Sequence, residues 1–365
     1  MRFNLWEDCN RVPLTELLSF VVDNRGKTVP TAPSGHKLIA TNCVTNNALF
    51  PVYEKIRYLS EETYQTWFRA HPIPGDILFV NKGTPGRVCL VPDPVDFCIA
   101  QDMIALRADE SKIYPKYLFA VLRSREIQQQ IYNTNVGDVI PHFKKQFLDQ
   151  LLIPIPERSI QESIGDLYYV LSLKAERNKK INDNLRQQAQ ALFKKWFVDN
   201  PDAILWKEGT FSNLIEKTIS GDWGKDSPSG NNTEMVYCIR GADIPEVRAG
   251  NKGKMPTRYI LPKNYAAKQL VDGDIVVEIS GGSPTQSTGR AAAVSDALLA
   301  RYDKGMVCTN FCKALKPRAG YSMYVYYYWQ YLYDRDIFFS YENGTTGIKN
   351  LDINGFIETE PIVIA

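Results

Sequence analysis

The stretch Ser172–Asn200, SLKAERNKKINDNLRQQAQALFKKWFVDN, lies at the centre of the chain and contains neither glycine nor proline. These two residue types most strongly disfavour a helix interior, so their absence predicts one long helix. Upstream, Ser159 with Glu162 three residues later is typical of a capping box. Downstream, Asn200 precedes a proline, which disfavours helical backbone in the residue before it. The sequence therefore predicts a helix of about 40 residues, roughly 60 Å long.

Apolar residues recur along this helix in alternating steps of four and three, with polar residues interrupting the middle. We call the apolar members the helix seam: Ile160, Ile164, Leu167, Leu171, Ile181, Leu185 and Leu192. A seam of this period is typical of coiled-coil contact with another helix. The highly charged opposite face favours a coiled-coil spacer, and an ordinary core helix of one large domain is the alternative.

The two flanks of the helix repeat each other. Pro74–Val91, PGDILFVNKGTPGRVCLV, and Asp272–Val294, DGDIVVEISGGSPTQSTGRAAAV, share a Gly-Asp turn, a β-branched strand, a glycine-rich loop ending in Gly-Arg, and a second apolar strand. Further on, YPKYLFAVLRS from Tyr114 matches YSMYVYYYWQYL from Tyr321. Repetition of this kind indicates duplicated domains. We predict an α/β (α+β) fold with two similar β-rich domains, residues 1–156 and 201–365, joined by a long coiled-coil-type helix, residues 157–200.

Composition narrows the function classes. The chain has 365 residues, 44% of them hydrophobic, and a net charge of +2, which neither demands nor excludes a nucleic-acid partner. Its seven cysteines form no CxxC pair and there are only three histidines, so we expect reduced thiols and no metal site. With neither a signal peptide nor a long apolar run, we expect a cytoplasmic protein without a membrane contact.

Catalytic motifs are missing from the sequence. It contains no GxGxxG, no GxxxxGK[ST] and no GxSxG or HExxH around its histidines. Asp274 and Glu278 lie on one strand and raise the alternative of a metal nuclease, but no ExK follows Glu278. Asp76 and Asp274 are better interpreted as turn-stabilising residues. We therefore predict no catalytic residue and no cofactor bound by this chain.

Nucleic-acid binding has better candidates. Residues 238–268 carry seven basic side chains against two acidic ones, an excess suited to phosphate contact. The two glycine-rich loops add donor-rich side chains suited to base edges. The candidates are Asn81, Lys82, Thr84, Arg87, Arg240, Lys254, Arg258, Ser280, Ser283, Thr285, Gln286 and Arg290. A solvated basic face and flexible turns are the alternatives, and the aromatic run around Trp329 favours core packing over base stacking.

Together these features resemble the specificity subunit of type I restriction–modification systems. The resemblance rests on LLIPIPERSIQESI from Leu151, INDNLRQQAQALFKKWFVD from Ile181 and the duplicated blocks. It implies two target recognition domains, each reading one half of a split double-stranded DNA sequence. It also implies partner modification subunits that dock on the helix, carry S-adenosylmethionine and methylate adenine N6, with an ATP-driven restriction subunit as a further partner.

The resemblance also implies that the central helix is a spacer whose length sets the gap between the half-sites. Family members of this layout usually have a second long helix after the second domain, whereas this sequence ends at ETEPIVIA. We therefore expect the helix seam to lack its intramolecular partner and to favour self-association or partner binding. The alternative function is a non-enzymatic helical scaffold with two protein-binding end domains.

Overall fold

The computed structural model describes residues 9–24, 28–134, 141–283, 285–344 and 348–364, apart from the side chains of residues 203 and 204. The chain divides into two compact units, Met1–Asn178 and Lys179–Ala365, and the boundary falls within the long helix. The three-segment division proposed from the sequence remains a prediction. Each unit is described by itself below.

The first unit contains short strands, three short helices and the first part of the long helix. Its elements are β1 Asn10–Pro13, β2 Leu18–Val22, β3 His36–Ile39, β4 Arg57–Leu59, α1 Glu61–Thr66, β5 Ile77–Val80, β6 Val88–Leu90, β7 Phe97–Ile99, β8 Met103–Ala108, α2 Pro115–Leu122, α3 Arg125–Thr134, β9 Leu152–Ile155 and α4 Arg158–Phe193.

Three sheets organise this unit. The largest has the order β2-β8-β5-β6, a second has the order β4-β3-β7, and β1 pairs with β9. Strand β5, ILFV, is buried at all four residues, as expected for an apolar run at a sheet centre. Its residues pair antiparallel with β6 on one side and β8 on the other, so that Ile77 lies between Leu90 and Leu106. The glycine-rich loop between β5 and β6 thus starts at the end of a buried, central strand.

The second unit repeats this plan. Its elements are β10 Lys207–Thr210, β11 Ile215–Ser220, β12 Glu234–Ile239, α5 Ile244–Arg248, β13 Thr257–Ile260, α6 Pro262–Lys268, β14 Ile275–Glu278, β15 Ser280–Gly281, β16 Ala291–Ala293, α7 Asp296–Leu299, β17 Met306–Cys308, β18 Cys312–Pro317, α8 Ser322–Tyr333, β19 Glu342–Asn343, β20 Lys349–Leu351, α9 Ile353–Thr359 and β21 Pro361–Ile364.

The sheet orders of the second unit match those of the first strand for strand. They are β11-β18-β14-β16, β13-β12-β17 and β10-β21, with one additional sheet, β15-β20-β19. In each unit the second sheet combines one parallel with one antiparallel pairing. Even the irregularity recurs, because β2 and β11 both shift register against their partner near the first residue of the strand. The predicted fold class, two similar β-rich domains joined by a long helix, is confirmed.

The Gly-Asp turns before β5 and β14 also correspond. The carboxylate of Asp76 accepts from the backbone of Ile73 at 3.0 Å and pairs with Arg107 at 2.9 Å. Asp274 accepts from the backbone of Val271 at 2.9 Å and pairs with Lys316 at 2.5 Å. Both acids therefore stabilise turns, which confirms that prediction.

Helix α4 begins at Arg158, one residue before the predicted cap, and a π-helical turn, Lys194–Val198, extends it to the predicted end. The backbone amide of Ile160 donates to the carbonyl of Glu157 at 3.0 Å, so Ser159 already lies within the first turn. The carboxylate of Glu162 pairs with Arg158 at 3.0 Å. The predicted capping box of Ser159 and Glu162 is therefore wrong, because Glu162 is used by a helical ion pair.

Each unit holds its part of α4 through a helix that follows its largest sheet. In the first unit, a Cβ on Gly165 would lie 2.6 Å from the backbone nitrogen of Tyr117 in α2, so the two backbones touch. The side chain of Gln161 is buried and accepts from the Tyr114 amide at 2.9 Å. In the second unit, the Phe193 ring packs on Tyr328 of α8 at 5.7 Å between centroids.

The aromatic run of α8 lies in the core of the second unit. Trp329 is fully buried, and the neighbouring tyrosines pack against the same cluster. The prediction that this run packs in a core is confirmed.

Candidate nucleic-acid interface

The loop between β5 and β6 is held by backbone hydrogen bonds and glycine turns. The amide of Asn81 donates to the carbonyl of Asp102 at 2.8 Å, and the amide of Phe143 donates to the carbonyl of Asn81 at 2.7 Å. Gly83 and Gly86 have φ angles of +83° and +86°, a conformation that favours glycine. The loop backbone is therefore fixed at both ends before any ligand binds.

Its four candidate side chains differ in accessibility. Lys82 is exposed, while Thr84 and Arg87 are half-buried. Asn81 is fully buried and its Nδ2 donates to the Phe143 carbonyl at 3.1 Å. The expectation that Asn81 presents its amide to DNA is corrected, because that amide fastens the loop to the segment after it. Lys82 and Arg87 carry the charge of this loop.

The loop between β14 and β16 is anchored in the same way. The amide of Ile279 donates to the carbonyl of Phe311, and the amide of Leu351 donates to the carbonyl of Ile279. A helix side chain also holds the last glycine of each loop: Gln128 of α3 donates to the Gly86 carbonyl and Trp329 of α8 donates to the Gly289 carbonyl, both at 2.8 Å. The two units thus present loops of the same design.

Some polar side chains of the second loop form hydrogen bonds within the unit, and others are exposed to solvent. The Ser280 hydroxyl donates to Asn350 Oδ1 at 2.5 Å, and the Thr285 amide donates to the Ser283 hydroxyl at 3.3 Å. Thr285 and Gln286 are exposed. Residue 284 lies outside the described residues. Thr285 and Gln286 are therefore the side chains of this loop best placed to meet a ligand.

Arg290, which ends the second loop, does not present a free charge. Its guanidinium forms two hydrogen bonds of 2.7 Å to the carboxylate of Glu278, which is 5% exposed. This ion pair raises the pKa of Arg290. The contact of Arg290 with DNA stays a prediction, and the charge of Arg290 is already paired inside the unit. The same pair occupies the Glu278 carboxylate.

The basic segment 238–268 is less free than its composition suggests. Arg240 binds the carboxylate of Asp243 at 2.9 Å and the carbonyl of Lys254 at 2.9 Å. Arg258 is 5% exposed and pairs with Asp226. Arg258 therefore offers no exposed charge to DNA. Arg240 is half-exposed, and only the part of its side chain that faces solvent remains a candidate contact. Lys254 is exposed and remains a candidate for phosphate contact.

A cavity next to the second loop was not predicted from the sequence. It has a volume of about 460 Å³ and is lined by Trp223, Arg240, Gly241, Ala242, Glu278, Ser280, Gly281, Thr309, Asn310, Phe311 and Ile348. Phe311 is 58% exposed and Trp223 is 38% exposed. Isolated aromatic residues carry no sequence motif, so only the fold could bring these two together.

The helix seam is mostly uncovered. Ile164 packs against the core of the first unit, and Ile160 is half-buried. In the first unit Leu167 and Leu171 are exposed, and in the second unit Ile181, Leu185 and Leu192 are exposed, each by at least 45% of its surface. Apolar side chains at this spacing on one helix are typical of a partner-binding surface.

Other chemistry has few groups to use in the described part of the chain. No cluster of three metal-ligating side chains occurs there. Six of the seven cysteines are buried and form no disulfide. Burial raises the pKa of the Cys98 thiol to about 12, so its reactive thiolate is disfavoured. His36 donates or accepts a 2.6 Å hydrogen bond with Glu61 at the surface. None of the described helices has the length and apolar composition needed to cross a bilayer.

The comparisons with known proteins agree with one another: each similarity is to a type I restriction specificity protein. Residues 20–187 match the family described as type I restriction modification DNA specificity domain. The specificity subunit of the type I restriction enzyme HindI from Haemophilus influenzae is 31% identical over 130 residues, covering 34% of this chain and 28% of that protein. The MjaIX specificity subunit from Methanocaldococcus jannaschii is 22% identical over 224 residues, covering 57% of this chain and 51% of that protein.

One solved structure shares the fold along the whole chain. The type I restriction-modification S subunit from M. genitalium superposes with a TM-score of 0.57 at 16% identity, covering 100% of this chain and 87% of that chain. The matched segments span 28% and 51% of the two curated relatives, so the likeness to those relatives is partial in length.

Proposed function

Because residues 20–187 match the family described as type I restriction modification DNA specificity domain, we propose that the chain is the DNA specificity subunit of such a complex. In this role it reads a two-part double-stranded DNA target and performs no covalent chemistry itself. Modification subunits bind it, carry S-adenosylmethionine and methylate adenine N6. An ATP-dependent restriction subunit is a further partner.

One observation carries this proposal: the two units have the same sheet orders and present glycine-rich loops of the same design. Two similar readers on one chain suit a target with two separate half-sites, each read by one domain. In the first loop, the proposed DNA contacts are Lys82, Thr84 and Arg87. In the second unit, the proposed DNA contacts are Ser280, Ser283, Thr285, Gln286, Lys254 and the solvent-facing part of Arg240.

The exposed helix seam supports the proposed partners. Five exposed leucine and isoleucine residues on a helix would remain in contact with water unless another helix covers them. We assign them to the modification subunits, with self-association of this chain as the competing occupant. This assignment needs no catalytic group on the chain, in keeping with a specificity role.

Methylation profiling tests the proposal. Genomic DNA from cells that express the chain with its modification subunit should carry N6-methyladenine in one interrupted motif, and the motif should be absent when the chain is omitted. The Lys82→Ala variant should reduce methylation, whereas Lys180→Ala on the charged helix face should not. Methylation that persists without the chain would overturn the proposal. If no motif appears and the chain recovers proteins but no DNA from extract, the scaffold alternative is correct.

A further inference from the structure

The cavity beside the second glycine loop is built from rigid parts. The guanidinium of Arg258 lies 4.0 Å from the centre of the Trp223 ring and also donates to the Trp223 carbonyl at 2.8 Å. One face of the indole is therefore covered by a buried cation, which fixes the ring while 38% of the residue remains exposed. Trp223 forms one wall of the cavity, and Phe311 and Ile348, both more than half exposed, lie at its rim.

The floor of the cavity requires glycine at two positions. A Cβ on Gly241 would lie 2.3 Å from Glu278 Oε1, and a Cβ on Gly281 would lie 3.0 Å from the same atom. The Glu278 carboxylate is itself occupied by Arg290. The cavity therefore offers a lining that is almost entirely apolar above a buried, neutralised ion pair.

Thr309 adds one polar group to this lining. Its side chain is 3% exposed, and its Oγ1 has no oxygen or nitrogen partner among the described residues, although the weakly polar thiol of Cys312 lies beside it. A buried hydroxyl without a strong partner costs free energy.

The two units differ at the positions that form this cavity. The loop amides donate to the carbonyls of Asp102 and Phe311, which places these two residues at corresponding positions. By the same bonds Val80 corresponds to Glu278, since their amides donate to the carbonyls of Arg87 and Arg290. The two units therefore share a backbone arrangement but carry different side chains at the positions that line the cavity. Such a difference is expected if the two domains recognise different half-sites.

Resting on the proposed function, we propose that this cavity is a specificity pocket that receives the 5-methyl group of one thymine in the half-site read by the second unit. The thymine methyl is the apolar group that base pairs present in the major groove, and apolar side chains such as Phe contact it. A whole extruded base would bring its hydrogen-bonding edge against an apolar lining, at a cost in free energy. Exposed Lys254 belongs to the same basic segment as Arg240 on the cavity wall and adds charge complementarity to the phosphates.

Comparison of thymine with uracil tests the pocket without changing the protein. Duplexes that bind the chain in complex with its modification subunit are selected from a randomised pool, and each thymine of the selected site is replaced singly by uracil. We expect one thymine, in one half-site, whose replacement weakens binding about tenfold, since one methyl group in an apolar pocket is worth at least that factor. If every thymine tolerates uracil, the pocket is refuted.

Variants then assign the effect to the cavity. In Phe311→Ala, thymine and uracil duplexes should bind equally at that position, while the other half-site is read unchanged. Phe20→Ala is the matched control, because Phe20 is an exposed phenylalanine of the first unit. A tenfold preference for thymine that survives in both Phe311→Ala and Trp223→Ala would overturn the inference. If the wild-type complex selects no sequence at all, the proposed function itself fails.

Discussion

Arg87 and Arg290 end the two glycine-rich loops at corresponding positions, yet their surroundings differ. Position 80 is valine, whereas the corresponding Glu278 is a buried carboxylate bonded to Arg290 at 2.7 Å. Removing Arg290 leaves this carboxylate buried without its cation, which typically costs about 3 kcal/mol. Removing Arg87 leaves no such charge.

We therefore predict that Arg290→Ala lowers the free energy of unfolding of the second unit by about 3 kcal/mol. Arg87→Ala should change stability by less than about 1 kcal/mol while it weakens DNA binding. Urea unfolding of the full chain, followed by intrinsic fluorescence, measures the first effect, and binding to a selected duplex measures the second. Equal stability losses in the two variants would contradict this assignment.

At the residue scale, the sequence indicates loops but not the fate of each side chain. The glycine and Gly-Arg pattern correctly located both loops. It could not reveal that the Nδ2 of Asn81 and the guanidinium groups of Arg258 and Arg290 are bonded within their own unit, because those partners are set by the fold. Trp223 and Phe311 lacked any signal for the same reason.

At the scale of single elements, helix α4 depends on one glycine. A Cβ at Gly165 would lie 2.6 Å from the Tyr117 amide nitrogen and 2.9 Å from the Lys116 carbonyl carbon, both rigid backbone atoms. Alanine is a better helix former than glycine by about 1 kcal/mol. Overpacking at a rigid contact costs about 1 to 3 kcal/mol, so the clash should prevail.

Gly165→Ala should thus destabilise the first unit by about 1 kcal/mol or more, although it favours the isolated helix. Ser159→Ala, at an exposed position of the same helix, is the control and should stay within about 0.5 kcal/mol of the wild type. Thermal or urea unfolding of both variants checks this. A Gly165→Ala protein more stable than the wild type would show that α4 does not pack closely on α2.

The exposed helix seam gives a second element-scale prediction. Leu171→Glu and Leu185→Glu change residues that are each 57% exposed, so the fold should tolerate them. Binding of the modification subunit should weaken at least tenfold, because a buried glutamate would be unpaired in the interface. Lys180→Glu on the charged face is the control. Unchanged complex formation on size-exclusion chromatography, with loss of self-association instead, would assign the seam to a second copy of this chain.

The positions of helices and strands were largely predictable from the sequence. The long helix was recognised from its lack of glycine and proline, and its end near Asn200 agrees with the structure. The start was misassigned because Ser-x-x-Glu is also an ordinary helical pattern, and Glu162 has Arg158 within reach.

At the scale of the whole molecule, the duplication is the feature that the sequence predicted best. Matched Gly-Asp turns and Gly-Arg loops correspond to matched strands, since short loops between paired strands constrain the topology strongly. The additional sheet of the second unit was not predicted, and among the described residues of the first unit its counterpart is a single antiparallel bridge between Lys82 and His142.

Given the proposed function, the continuous helix between the repeated domains should act as the spacer. Inserting four residues near Asn178 adds about 6 Å of helix, close to two base pairs of DNA. The methylated motif should then keep both half-sites and gain about two base pairs between them. Methylation profiling of cells that carry the insertion checks this. Altered half-sites with the original gap would contradict a spacer role.

The most direct test is the affinity of the purified complex of this chain with its modification subunit for a duplex carrying its complete two-part site. Replacing the sequence of either half-site should weaken binding at least a hundredfold, and affinity for every duplex should fall steeply as salt rises. Equal affinity for the intact site and for both replaced duplexes, at every salt concentration, would contradict a chain that reads DNA with two similar domains.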